Sequence, residues 1–216
     1  MTDSSFTDRL DAVVDSVRAG LQAKYAARER AIPLCREAIR FSANGIRAVH
    51  RGEMEKARDL VASAGRAVGE AAEALAAHSD IYWAGFIHDA QKEFAEASIL
   101  LAFVSGRGVP APAEVGVEPA AFLNGLAEAA GELRRHLLDR LREGDVEYCE
   151  RCLGWMDDIY GQLVTIDFPD AMTGGLRRNT DMVRGVLEKS RGDLTAAVRQ
   201  RSLERRLGEL ERRISG

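Results

Sequence analysis

Two short segments carry carboxylates at helical spacing, and together they could hold a metal ion. Glu93 and Glu96 lie in HDAQKEFAEA, about 60° apart around a helix. Glu128 and Glu132 lie in LAEAAGELRRHLLD at i,i+4 spacing, so they share one helical face. Carboxylates converging from two helices would repel one another and attract a hard divalent cation, Mg²⁺ or Mn²⁺. Such an ion can activate water against a phosphodiester, although a solvated face is the simpler explanation of this spacing alone.

A row of arginines in LCREAIRFSANGIRAVHR could follow a nucleic-acid backbone. The row consists of Arg36, Arg40, Arg47 and Arg51. They fall on one flank of a predicted helix, beside its apolar stripe, and guanidinium groups form bidentate hydrogen bonds to phosphate. Ion pairs with carboxylates of a neighbouring helix are the alternative interpretation.

Other chemistries find little support in the sequence. There is no Walker A loop, no GxSxG and no GxGxxG segment. A di-iron bundle needs Glu-x-x-His pairs, and no histidine here has a glutamate three residues before it; Glu132 and His136 form one candidate pair at i,i+4. Cys149 and Cys152 form a lone CxxC, which predicts two buried thiols because a structural zinc site needs four ligands.

The composition is that of a globular protein with one sizeable core. The chain has 216 residues, 46% of them hydrophobic and 30% charged, and a formal net charge of −4 that by itself indicates no nucleic-acid partner. Residues 176–216 carry 11 basic and 6 acidic side chains, so the C-terminal segment is basic and the rest is acidic. An odd cysteine count, no secretory signal and no long apolar stretch predict a cytoplasmic protein without a membrane span.

Helical periodicity fills most of the chain and predicts an all-α fold. The expected helices cover about 3–50, 53–78, 81–105, 119–143, 145–166 and 176 onward. Pro33 should kink the first helix or divide it in two. Trp83 could stack on a base, but it falls in the apolar stripe of the third helix and is expected in the core. With no repeat or linker, residues 1–216 are predicted to form one domain, a bundle of six to seven helices.

The last predicted helix carries a narrow apolar seam of the kind that docks on another helix. The seam consists of Leu203, Leu207, Leu210 and Ile214.

Four segments resemble the translin and translin-associated factor X (TRAX) family, and more closely the TRAX branch in its small archaeal form. The first is LCREAIRFSANGIRAVHR, with Arg36 and His50 at matching spacing, and the second is QKEFAEA, similar to Q-E-Y-V-E-A. The third is FLNGLAEAAGELRR, similar to Y-L-x-G-x-A-D-x-x-G-E-L-x-R, and the fourth is LRRNTDMVRGVLE. The third is the most specific, because a small-residue helix that carries Gly125, Gly131 and Glu132 together is unusual.

The resemblance implies a seven-helix fold that assembles into hollow octamers and binds single-stranded RNA or DNA inside. It also implies a Mg²⁺-dependent endoribonuclease whose acidic residues lie on the inner wall. By motif, Glu93 and Glu96 match catalytic glutamates, and Glu132 matches a neighbouring carboxylate with a helper role. Glu128 stands where the family commonly has aspartate, and its extra methylene would shift a bound metal by about one C–C bond length, which can cost about 10²-fold in rate.

We therefore predict a Mg²⁺-dependent endoribonuclease that cuts single-stranded RNA inside the chamber of a homo-octamer. The predicted metal ligands are Glu93, Glu96 and Glu128, with Glu132 as a fourth catalytic residue and Arg36, Arg40, Arg47 and Arg51 on RNA phosphates. The alternative is a non-catalytic oligomer of translin type that binds single-stranded RNA or DNA. A purely structural helical oligomer is the third hypothesis.

Overall fold

The computed structural model describes residues 3–214, with side chains from residue 6 onward, and every regular element in that range is an α-helix. The six long helices are α1 (Asp3–His50), α2 (Met54–Leu75), α4 (Phe86–Val104), α6 (Pro119–Arg142), α7 (Val146–Leu163) and α9 (Leu176–Ile214). The three single-turn helices are α3 (Ser79–Tyr82), α5 (Pro112–Val115) and α8 (Asp170–Thr173). The predicted all-α class is confirmed, and the three short helices occupy the connections between the long ones.

Helix α1 runs through Pro33 as one helix of 48 residues. Of the two outcomes predicted for Pro33, a kink or a division, the division into two helices is therefore wrong. Ala31 and Cys35 are buried on either side of Pro33. Because tertiary packing of an apolar face supplies most helical stability, this packing keeps the chain helical on both sides of Pro33 despite the missing N–H of the proline.

The predicted third helix is divided, and Trp83 lies outside the core. The chain breaks between α3 and α4 at Gly85, whose φ of 103° is one that residues with a side chain rarely adopt. Trp83 precedes this turn, so it does not follow the register of the apolar stripe on α4. Its side chain is 65% exposed and touches Tyr82 edge-on, which makes the core placement wrong.

Helix α6 lies at the centre of the packing. It contacts α4 on one side and α7 and α9 on the others, while α1 packs against α2 and α4. Cys149 and Cys152 on α7 are free and buried beside Leu137 and Leu194, which confirms the two buried thiols. The arrangement places the acidic segments of α4 and α6 directly against each other.

Two helical extensions expose apolar side chains at heptad-like spacing. The α1 seam consists of Phe6, Leu10, Val13, Val17 and Leu21, and the α9 seam consists of Leu203, Leu207, Leu210 and Ile214. All of these side chains are at least half exposed, so neither seam is covered within the part of the chain that the structure describes. None of the helices described has the length and apolar content needed to cross a membrane.

Candidate metal centre and nucleic-acid interface

The crossing of α4 and α6 brings three carboxylates to one point. Glu93 and Glu96 from α4 and Glu128 from α6 each offer an oxygen, and these atoms lie within 4.8 Å of one another. We call these three residues the carboxylate cluster. Glu128 therefore does not lie on an open solvated face: its side chain is 26% exposed and faces the neighbouring helix.

Gly125 makes this close crossing possible. A Cβ added at Gly125 would lie 2.7 Å from the carbonyl oxygen of Lys92, 2.8 Å from Cβ of Ala95 and 2.9 Å from the backbone nitrogen of Glu96. Those atoms belong to the backbone of α4 or to its shortest side chains, so none can move aside without moving the helix. Glycine at 125 thus sets the separation of the two helices immediately beside the cluster.

Glu96 is the buried member of the cluster, with 8% of its surface exposed. Burial, and then the charges of Glu93, Glu128 and Glu132, raise the pKa of Glu96 to about 8. A carboxyl group with that pKa holds its proton at neutral pH in the absence of an added cation. Burial and the neighbouring carboxylates both disfavour the ionised form of Glu96, whereas a cation bound beside it would favour that form.

Lys92 supplies part of that positive charge. Its Nζ lies 2.7 Å from Oε1 of Glu128 and 3.4 Å from Oε1 of Glu93. Burial disfavours the charged amine, but the hydrogen bond to Glu128 and the charges of Glu128 and Glu93 outweigh it and raise the pKa of Lys92. The lysine therefore remains an ammonium group that bridges α4 and α6.

Glu132 lies one turn beyond Glu128 and is held by other partners. Nε2 of His50 on α1 donates a hydrogen bond to Oε2 of Glu132 at 2.5 Å, and Nη1 of Arg135 lies 3.8 Å from the same oxygen. The hydrogen bond from His50 lowers the pKa of Glu132, although burial opposes it. Glu132 is thus an oriented, ionised carboxylate next to the cluster.

His136 does not join Glu132 in a metal-binding pair. Its Nε2 shares a hydrogen bond with the hydroxyl of Tyr148 at 3.1 Å, and its ring packs 6.0 Å from that of His50. Burial, with the positive charge of Arg140 next, lowers the pKa of His136 to about 4. His136 is therefore a neutral, buried residue that packs against His50, and His50 in turn holds Glu132.

All four arginines of the predicted row are exposed on α1 and the turn that follows it. Their polar contacts are Arg40–Glu37 at 3.1 Å, Arg47–Asn44 at 2.8 Å and Arg51–Glu53 at 2.6 Å. Glu37 and Asn44 belong to α1 itself, whereas Glu53 is the N-cap residue of α2. The predicted pairing with a carboxylate of a neighbouring helix is therefore found for Arg51 and not for Arg40 or Arg47. Arg36 forms no salt bridge with any described residue. The row ends beside His50, so it leads along α1 toward Glu132.

Comparisons with known proteins address the family and the fold of the chain. No family model matches the chain. An uncharacterised protein of Methanocaldococcus jannaschii, MJ0175, is 27% identical over 190 residues, covering 87% of this chain and 84% of the relative. Among solved structures, AfC3PO in its complex with duplex RNA is 34% identical, with a TM-score of 0.81 and coverage of 87% of this chain and 97% of AfC3PO. A crystal structure of AfC3PO gives 34% identity and a TM-score of 0.80, with coverage of 87% of this chain and 98% of AfC3PO.

C3PO proteins are complexes of the translin/TRAX type. The chain belongs to the translin/TRAX family. The apo-NeC3PO structure, at 20% identity, shares the fold, with a TM-score of 0.77 over 85% of this chain and 96% of that one. The family and the fold predicted from the four sequence segments are both confirmed.

Within this translin/TRAX-type fold, sequence reasoning missed two groups at the site. Lys92 precedes Glu93 and lies one turn before Glu96, so its helical position already placed it on the acidic face. Arg135 follows Glu132 at i,i+3, which is the usual spacing of an ion pair. His50 was recognised only as part of a segment, because no sequence pattern indicates a contact across 82 positions.

Proposed function

We propose that this translin/TRAX-family protein is a Mg²⁺-dependent endoribonuclease that cuts single-stranded RNA inside an oligomeric chamber. The observation that carries the proposal is the convergence of Glu93, Glu96 and Glu128 within 4.8 Å at a helix crossing. A structure of the related AfC3PO in complex with duplex RNA is known, which supports an RNA-related function. Preference for single strands is part of the proposal.

The donor set of the carboxylate cluster fits a hard divalent ion. Glu93, Glu96 and Glu128 would hold Mg²⁺ through carboxylate oxygens, the ligands that this ion prefers, and Mn²⁺ would fit the same donors. Burial first, and then the charges of Glu93, Glu128 and Glu132, raise the pKa of Glu96, and a bound cation would favour its ionised form. When bound, the ion would supply Lewis acidity toward a phosphodiester and lower the pKa of a coordinated water.

The remaining residues of the site have complementary roles in the proposed reaction. Glu132 is ionised and fixed by His50, so it can orient a water molecule or accept its proton. Burial of Glu96 keeps bulk water away from the inner side of the cluster. The exposed arginine row leads to the same region, where its guanidinium groups would bind successive phosphates of an RNA strand.

A chamber requires several copies of the subunit, and the two seams support self-association. Six arginines and three glutamates lie between residues 198 and 214, whereas three aspartates and two arginines lie between residues 6 and 21. The α9 and α1 extensions are therefore opposite in net charge and both present apolar seams. Pairing of these extensions between copies would bury both seams, and we propose a homo-octamer in the cytoplasm.

The nuclease proposal is tested with a labelled single-stranded RNA, a Mg²⁺ titration and the E128Q variant. Glutamine keeps the shape of Glu128 but removes a charged ligand, so cleavage should fall by about 10²-fold or more. The matched control is E70Q, which changes an exposed glutamate on α2 far along the chain from the cluster. Cleavage by E128Q at the wild-type rate, or cleavage that persists in EDTA, contradicts the proposal.

A non-catalytic binder of single-stranded RNA or DNA is the second candidate. Two observations favour it: Lys92 already neutralises part of the cluster, and Glu128 is longer than the aspartate of the family motif. Under this alternative, gel shifts with single strands would show binding that weakens with salt, with no cleavage at any Mg²⁺ concentration. Duplex RNA in the same assay measures the strand preference.

A further inference from the structure

Lys92 lies between two residues of the proposed metal site. Its Nζ is 2.7 Å from Oε1 of Glu128 and 3.4 Å from Oε1 of Glu93. The ammonium group is therefore closer to each of these two carboxylates than the 4.8 Å within which the oxygens of the cluster lie. The side chain is 22% exposed, so it is a partly buried bridge rather than a surface ion pair. An ammonium at this place satisfies the carboxylates that a metal would need.

The position of Lys92 is fixed by the packing of the two helices. Its carbonyl oxygen is the atom closest to the place of a Cβ on Gly125, at 2.7 Å. The backbone of Lys92 therefore lies where α4 passes closest to Gly125 of α6. From this position the side chain of Lys92 reaches Glu128. The contact is thus a consequence of the fold.

We propose that Lys92 is the resident counter-cation of the carboxylate cluster and must leave Glu128 and Glu93 before they can hold a divalent metal. This inference rests on the proposed metal site and concerns how that site is filled. An ammonium group and a Mg²⁺ ion that contact the same carboxylates repel each other, since Mg²⁺ requires contacts of about 2.0–2.1 Å and lies close to the ammonium group. Lys92 consequently competes with the metal, so that a higher metal concentration is needed to fill the site.

The first test measures metal affinity without RNA and without turnover. Mn²⁺ is titrated calorimetrically into wild-type protein and the K92Q variant. Mn²⁺ binding to wild type must break the charged hydrogen bond between Lys92 and Glu128, and the free energy of that bond is subtracted from the binding free energy. K92Q lacks the bond, so it should bind Mn²⁺ about tenfold more tightly. The control is K189Q, an exposed lysine on α9, which should bind Mn²⁺ as wild type does. Circular dichroism establishes that each variant is folded.

The second test uses the wild-type protein and needs no substitution. The chain has only four lysines, Lys24, Lys56, Lys92 and Lys189. An amine-reactive reagent, followed by peptide mass spectrometry, reports how accessible each ammonium is. Saturating Mg²⁺ should increase the labelling rate of Lys92 several-fold and leave the other three unchanged.

The outcomes separate this inference from the proposed function. Tighter Mn²⁺ binding by K92Q together with Mg²⁺-dependent labelling of Lys92 supports displacement. Equal Mn²⁺ affinities of wild type and K92Q, or labelling of Lys92 that ignores Mg²⁺, overturn the displacement and leave the metal site standing. Absence of metal binding in both proteins overturns the proposed function as well.

Discussion

His50 on α1 donates a hydrogen bond from Nε2 to Oε2 of Glu132 on α6, at 2.5 Å. The contact joins the helix that carries the arginine row to the helix that carries Glu128. The side chain of His50 is 4% exposed and that of Glu132 is 25% exposed, so the pair is sheltered from solvent. The site is therefore assembled by three helices: α4 and α6 supply the carboxylate cluster, and α1 supplies the histidine that holds Glu132.

Replacing His50 with glutamine should slow RNA cleavage by about 10–100-fold, the range found when outer partners of a metal site are lost. Glutamine places its amide differently from the imidazole, so Glu132 loses its fixed orientation. Because His50 acts through Glu132, kcat should fall while RNA affinity measured in EDTA stays at the wild-type level. Single-turnover cleavage and gel shifts measure the two quantities separately.

The control for His50 is H78Q, which alters the N-cap histidine of α3, whose side chain makes no capping hydrogen bond. It should cleave RNA as wild type does. If H50Q retains full kcat, the hydrogen bond to Glu132 has no part in the reaction. If RNA binding falls in parallel with kcat, His50 supports the fold of α1 instead.

Alanine at position 125 should both destabilise the protein and weaken metal binding. The added Cβ meets backbone atoms of α4 below 3.0 Å, so α4 and α6 must separate. Overpacking of this kind costs about 1–3 kcal/mol, and separation moves Glu128 away from Glu93 and Glu96. Urea unfolding and Mn²⁺ titration of G125A measure the two effects.

The matched control is G131A on the same helix, where an added Cβ meets nothing within 4 Å. Because alanine is the better helix former, this variant should gain about 0.5–1 kcal/mol of stability. Undiminished Mn²⁺ affinity in G125A would mean that helix separation does not set the geometry of the cluster.

The parts of the fold that follow local periodicity could be predicted from the sequence. The spacing of Glu93 with Glu96 and of Glu128 with Glu132 places each pair on its helix, because both pairs depend only on the helical repeat. The division of the third helix was missed, since one positive φ at Gly85 outweighs a continuous apolar stripe. A division of α1 at Pro33 was one of two predictions, beside a kink, because local rules omit the packing that holds α1 together.

The contacts between helices could not be predicted in the same way. That Glu128 faces Glu93 follows from the crossing at Gly125, which is a property of two surfaces and not of either segment. Spacing alone even favoured a solvated face for Glu128. The role of Lys92 depends on the same crossing, since its partner lies 36 positions away in the sequence.

Acid should destabilise the protein through His136, and the H136Q variant should resist this effect. Burial keeps His136 neutral and lowers its pKa from 6.5 to about 4. The unfolded chain takes up a proton near pH 6.5, so this stabilisation is complete above that pH and is lost as pH falls toward 4. The loss amounts to at most about 3 kcal/mol.

Urea unfolding at pH 7 and pH 4.5 measures the difference between H136Q and wild type. Glutamine does not titrate, so the stability of H136Q should rise relative to wild type as pH falls. A difference between H136Q and wild type that does not change with pH contradicts a buried neutral His136.

Polar residues in the α9 seam should abolish assembly without unfolding the subunit. Leu207 and Leu210 are half exposed in the single chain, so their substitution removes no contact from the core. Burial of each leucine against another copy would contribute roughly 1.5–3 kcal/mol. The double variant L207Q/L210Q should therefore sediment as a smaller particle with unchanged helicity, and RNA cleavage should fall because an isolated subunit encloses no chamber.

The control is R212Q, which lies on the opposite side of α9 and should sediment as wild type does. A double variant of wild-type size would show that the α9 seam lies outside the interface between copies.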